Sequence, residues 1–155
     1  MQGHPAVIDA LNALLAGELA ARDQYFIHSR MLAEWGLNRV AERIAHEMQD
    51  ETAHAEVLIK RILMLGGAPC MAPAALNIGV DLPDMLRKDL DLELGVVKTL
   101  RAAMALCERE ADYVSRDLLL GLLADTEQDH AHWLEQQLRL IGLLGLPNYL
   151  QSQLG

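Results

Sequence analysis

The chain has 155 residues, 52% hydrophobic but only 4% aromatic, and a formal net charge of −9. That length suits one domain with a proper core, and the acidic balance argues against a nucleic-acid partner while favouring attraction of cations. Cys70 and Cys107 are too few and too far apart for a disulfide framework or a zinc ribbon. They read as reduced thiols of a cytoplasmic protein, and neither a signal-peptide pattern nor a membrane-length apolar run is expected.

The apolar mass is Leu, Ala, Val, Ile and Met, most of which favour helix. Pro5 can open a first helix running to about residue 35, with Gly36 as its stop. Asn38 can cap a second, about 39–65, ended by Gly66-Gly67. "APCMAPAALNIGVDLP", with three prolines, reads as a long crossover. Pro83 opens a third helix, about 83–110, and a fourth follows over about 111–144. Gly145 and Pro147 precede a short last helix, about 147–154. Each main helix carries an apolar stripe: Leu11, Leu14, Tyr25 and Leu32; Ile44, Leu58, Ile62 and Leu65; Leu86, Leu90, Val97, Leu100 and Met104; Leu120, Leu123, Leu134 and Ile141. Four such rods and one long crossover predict a single-domain, all-α four-helix bundle with a short fifth helix.

Acid interrupts every stripe. Glu18 follows Leu14 by one turn, and Glu93 lies between Leu90 and Val97. Glu51 and His54 interrupt the second helix as Glu127 and His130 interrupt the fourth, so each half carries one lone Glu and one Glu-x-x-His. Any one of these acids alone would be an ordinary solvated side chain. Six such residues on four apolar faces are better explained by two divalent ions, whose four charges neutralise four carboxylates that would otherwise repel one another. Three-residue spacing lets Glu and His reach one ion or two adjacent ions. Carboxylate with imidazole and no thiolate suits iron or manganese, with zinc also compatible.

These residues, with "LNALLAGELAARDQYFIHSRMLAEWGL", "HEMQDETAHAEVLIKRILMLGG", "LNIG", "DYVSRDLL" and "HWLEQQLRLIGLLGLPNYLQ", resemble the bacterioferritins across nearly the whole chain. The ligand set alone would be shared with ferritins and rubrerythrins; the length, "DYVSRD" and the tail are more specific. The resemblance implies a ferritin-like bundle assembled into a 24-subunit cage that oxidises Fe(II) with O2 or peroxide and stores ferric mineral. It implies a di-iron ferroxidase centre of Glu18, Glu51, His54, Glu93, Glu127 and His130, with Glu51 and Glu127 bridging. "DLELG" fixes Glu93 after a one-residue shift in the crossover. The resemblance further implies Tyr25 as a nearby electron donor, an inner-surface iron site at His46 and Asp50 with Glu47 a further candidate, and an electron-donating ferredoxin as a partner. His4, His28 and His132 take no role; Trp35, Trp133, Cys107 and the methionines read as packing.

One residue departs from the family's pattern. Bacterioferritins hold haem at a two-fold interface with one Met from each subunit, at the position filled here by Thr52. A hydroxyl cannot replace a thioether on such an iron, and Met48 is displaced from that position by about one turn, roughly 5 Å. The resemblance therefore implies a ferroxidase-competent, haem-deficient subunit, without haem b when alone, that co-assembles with a Met-bearing paralogue. A non-storing peroxide reductase of the rubrerythrin type is the alternative, although the C-x-x-C pairs of a rubredoxin-like site are missing. A haem-carrying or structural cage subunit without catalysis is disfavoured by the intact ligand set.

Overall fold

The computed structural model describes residues 1–155. Six α-helices follow in order: α1 (Pro5–Glu34), α2 (Asn38–Met64), α3 (Leu82–Arg109), α4 (Tyr113–Asp125), α5 (His132–Leu144) and α6 (Leu146–Ser152). A π-helical segment, Thr126–Ala131, joins α4 to α5 without a break. Asn38 does not cap α2: it is the helix's first residue, after Leu37, and no side chain caps that end. His4 Nδ1 accepts from the Ala6 N–H with Pro5 at the first position of α1. Asp81 accepts from Asp84 N–H at the start of α3, and Asp112 from Ser115 N–H at the start of α4. No helix is long and apolar enough to cross a membrane.

A short turn folds α1 back against α2, and another folds α3 against the α4–α5 rod. The buried guanidinium of Arg61 on α2 staples the second turn, reaching Asp112 Oδ1 (2.9 Å) and Ser115 Oγ (2.8 Å). Residues 65–81 form the crossover between the two hairpins. It is held by a buried polar network. His28 Nε2 accepts from Gly79 N–H at 2.9 Å while its Nδ1 lies 2.9 Å from Asp89 Oδ1. Gln24 donates to the same Asp89 oxygen and accepts from Asn77 N–H. Gly79 itself passes so close to α3 that a Cβ would lie 2.6 Å from the Met85 backbone. α6 turns off at Gly145 (φ 77°) and docks through buried Tyr149, whose hydroxyl donates to Gln137.

The fourth stripe is phased differently from its sequence expectation. Leu119 and Leu122 are buried, whereas Leu120 is 48% exposed and Leu123 only half-buried. The buried positions Leu122, Thr126, His130 and Leu134 fall every four residues, longer than the α-helical repeat. The π winding absorbs that difference, so an α-helical stripe drawn back from Leu134 lands on the wrong face.

The apolar core is divided. One cluster joins Leu11, Leu15, Leu58, Ile62, Leu100 and Leu119. The other joins Tyr25, Ile44, Met85, Leu86, Leu134 and Tyr149. On α1 the division falls around Glu18, on α2 between Ile44 and Ala55, and on α3 around Glu93. The polar band between the clusters is the candidate site.

Candidate metal centre

Glu18, Glu51, His54, Glu93 and His130 converge in that band, with 0%, 1%, 6%, 0% and 0% exposure. They form two triads, Glu18–Glu51–His54 and Glu51–Glu93–His130, each with ligand atoms within 4.8 Å of one another. Glu51 belongs to both. Its Oε1 lies 2.8 Å from His130 Nδ1 and its Oε2 3.5 Å from His54 Nδ1. Glu18 Oε2 lies 3.4 Å from His54 Nδ1, and Glu93 Oε1 3.4 Å from His130 Nδ1. The two imidazoles stack, centroids 5.7 Å apart. Both present Nδ1 to the carboxylates. This is a hard, mixed oxygen–nitrogen donor set arranged for two adjacent cations sharing one carboxylate.

Several of these donors have nothing else to do. Both oxygens of Glu18, one oxygen each of Glu51 and Glu93, and Nδ1 of both histidines are buried without a hydrogen bond. Such atoms are costly unless a ligand satisfies them. The protonation balance carries the same strain. Burial, then the neighbouring Glu51, pushes the Glu18 carboxyl well above its usual range, and burial raises Glu93 as well. Burial opposes charge on His54, but contacts with Glu18 and Glu51 outweigh it and push the imidazole up to about 11. His130 is raised as well: its contacts with Glu47, Glu51 and Glu93 override burial.

The outer nitrogens are held in turn. His54 Nε2 is 2.6 Å from Asp125 Oδ2, and His130 Nε2 is 3.2 Å from Asp50 Oδ2. Each carboxylate fixes the ring orientation that leaves Nδ1 facing inward. Tyr25 donates a short hydrogen bond to Glu93 Oε1 and stands edge-on to His130, centroids 6.5 Å apart. Burial and the adjacent Glu93 raise its pKa well above the usual value, so the phenol stays neutral.

Glu127 does not join the group, contrary to the expectation of a second bridging ligand. Its carboxylate is partly exposed and lies 2.5 Å from Arg101 Nη2. The π winding over Thr126–Ala131 shifts Glu127 relative to His130 from its α-helical azimuth. A fourth carboxylate beside three buried ones would add repulsion, and Arg101 offers a counter-charge at the rim.

His46 and Asp50 are brought within 3.6 Å on α2, His46 exposed and Asp50 half-buried, with Asp50 shared with His130. Thr52 is exposed on α2 and bonds the Met48 carbonyl of its own helix. Met31 and Met48 pack against the second core cluster. Trp133 packs as expected, under the Arg43 guanidinium at 4.8 Å; Trp35 is 45% exposed. Cys107 is buried and Cys70 exposed.

Four features escaped the sequence reading. Asp125 and Asp129 sit among other acids with no periodicity to mark them, and Arg43 resembles any surface arginine. The His28–Asp89 network had a signal. Asp89 lies one turn before Glu93 in the same stripe, a further buried acid that a full count of interruptions would have included.

Residues 8–144 match the ferritin-like domain family. The chain is 61% identical to a protein named bacterial ferritin from Neisseria meningitidis serogroup A, over 99% of this chain and 100% of that one. It is 59% identical to the bacterial ferritin of Pseudomonas aeruginosa, over the same shares. Against the bacterioferritin of Mycobacterium leprae it is 40% identical, over 94% of this chain and 91% of that protein.

Proposed function

The chain belongs to the ferritin-like family, and from that premise we propose that it is the ferroxidase-competent subunit of an iron-storing cage in the cytoplasm. One observation carries this reading: two Glu–His triads share Glu51 in a buried band between two apolar clusters. Glu18 and His54 would hold one Fe(II), Glu93 and His130 the other, and Glu51 would bridge them. Glu127 would become the second bridge by leaving Arg101. Bound there, two ferrous ions supply two electrons, one each.

The chain's own groups shape that reaction. Carboxylate-rich ligation favours Fe(III) over Fe(II), lowering the potential so that O2 or peroxide accepts the electrons. The acceptor takes both at once, with two protons, giving hydrogen peroxide from O2 or water from peroxide. His54 and His130 surrender their protons as cations arrive, because only a neutral imidazole ligates. Asp125 and Asp50 hold the rings so that Nδ1 stays directed inward. Tyr25 is placed to donate an electron when its proton can pass to Glu93. His46 and Asp50 would pass iron onward to the mineral. Thr52, at the position of the family's haem Met, supports a subunit that binds no haem b by itself. It would co-assemble with a Met-bearing paralogue, and a ferredoxin would supply electrons for iron release.

The test is aerobic Fe(II) addition with particle size and iron content measured. A large cage holding far more than two irons per chain supports storage; a small oligomer stopping at two per chain supports the peroxide-reductase alternative. In stopped-flow absorbance, Glu18→Ala and His130→Ala should each abolish rapid ferric formation while the assembly persists. Wild-type rates in both would refute the assignment.

A further inference from the structure

One turn from the metal band, a second polar cluster clasps α1 to α3. Asp89 on α3 is fully buried, and its Oδ1 meets two side chains of α1, Gln24 Nε2 at 2.9 Å and His28 Nδ1 at 2.9 Å. The crossover holds each of those side chains from behind. Gln24 Oε1 accepts from the Asn77 N–H at 3.0 Å, and His28 Nε2 accepts from the Gly79 N–H. Because Nε2 accepts, Nδ1 carries the ring proton toward Asp89. Tyr25 stands between Gln24 and His28 on α1, and its hydroxyl bonds Glu93, one turn beyond Asp89 on α3. After burial and Glu93, the charge of Asp89 is the next cause that raises the Tyr25 phenol, so the two lie close together.

We propose that Asp89, with Gln24 and His28, is a positioning device for Tyr25: it fixes α1 against α3 so that the phenol stays on Glu93 while iron is oxidised. The inference rests on the reading of Tyr25 as an electron donor. Oxidation of Tyr25 breaks its O–H bond. The proton crosses to Glu93, and the electron joins three from Fe(II) in reducing O2, with four protons from solvent, to two waters. The proton crosses only if the phenol is within hydrogen-bond reach of the carboxylate. That contact is under tension, because Glu93 Oε1 also faces His130 Nδ1 at 3.4 Å and its Oε2 is buried without a partner. An arriving cation therefore pulls on the same carboxylate that holds the phenol. The clasp resists that pull because it is anchored on α1, α3 and the crossover, and not on the metal ligands.

Freeze-quench EPR after aerobic Fe(II) addition to the assembled protein tests this, reading tyrosyl radical formed per O2 consumed. Wild type should show a radical that Tyr25→Phe removes. Asp89→Ala should lower the yield about tenfold or more, the cost of a misplacement of about 1 Å. It should also alter the hyperfine splitting from the Tyr25 β-hydrogens, which follows the angle of the ring to its own helix. Asp89→Asn, whose carbonyl accepts both bonds, should restore yield and splitting. Gln24→Met removes one arm of the clasp at similar volume and should also lower the yield, which keeps the test decisive if Asp89→Ala folds poorly. A wild-type yield per O2 in both Asp89→Ala and Gln24→Met overturns the proposal, even if oxidation itself slows, since the cluster would then be structural alone. Asp89→Asn as deficient as Asp89→Ala overturns it too, since charge and not the paired bonds would then act on Tyr25. If wild type forms no radical, or Tyr25→Phe keeps it, the electron-donor reading fails, and this one with it.

Discussion

Replacing Glu18 by Leu should make the metal-free protein more stable while removing its response to metal. Glu18 is fully buried between Leu15 and Leu19, and neither of its oxygens has a hydrogen-bond partner. An unsatisfied buried polar group costs about 1–3 kcal/mol. Leu fills a similar volume beside leucines already in the first core cluster. His54 loses its 3.4 Å contact with Glu18 but keeps Asp125 and Glu51. A net gain of about 2 kcal/mol corresponds to roughly 4–8 °C in Tm for a chain of this size. Wild type should gain about 2.7 kcal/mol from a cation present at a hundred times its Kd, and the variant should gain almost nothing. Calorimetry with EDTA and then with Mn2+ therefore predicts a reversal of order: the variant melts higher without metal, and wild type rises to meet or pass it with metal. A variant melting below wild type in EDTA would refute the reasoning, because it would mean that the Glu18 carboxylate is well satisfied in the metal-free fold.

Thr52→Met should create a bis-Met haem spectrum, one haem per two chains, in protein supplied with haem, whereas a stoichiometric spectrum from the unaltered chain would refute the haem-deficient reading. His46→Ala should leave the first oxidation turnover intact and slow sustained mineralisation; an unchanged late phase would return His46 to a merely solvated surface. His54 is pushed up to about 11 and His130 is raised too, so the folded metal-free chain holds protons that the unfolded chain releases near pH 6.5. The associated stability is fully present below about pH 6.5 and is lost as pH rises toward about 11. The Tm in chelator should fall over that window, and Mn2+ binding at pH 7 should release protons, measurable by calorimetry in buffers of different ionisation enthalpy.

The bundle was legible because its helices are punctuated plainly: Pro5, Asn38, Pro83 and Gly145 stand at or beside real boundaries. The burial of Glu18, Glu51, His54, Glu93 and His130 was legible because a polar side chain leaves a gap in an apolar stripe. What failed was whatever depended on winding or on contacts between distant elements. The phase of α4 was lost because the period test assumes one pitch along the whole rod. Glu127 stands at the rim because its carboxylate pairs with Arg101, a partner 26 residues away that no local spacing marks. Asp125 and Asp129 acquire meaning only through partners 71 and 86 residues away in sequence, and no local pattern records such pairings.

The segment Thr126–Ala131 amounts to a one-residue insertion carried inside a rod. Winding it as plain α-helix with every residue kept would turn everything beyond it by about 100°. Leu134 and Gln137 would swing out of the core, and Tyr149 would lose the acceptor that seats α6. The odd turn thus sets the azimuth of the C-terminal part of the molecule as well as the placement of His130. A uniformly wound chain would lose the seat of its C-terminal helix along with its cation-binding band.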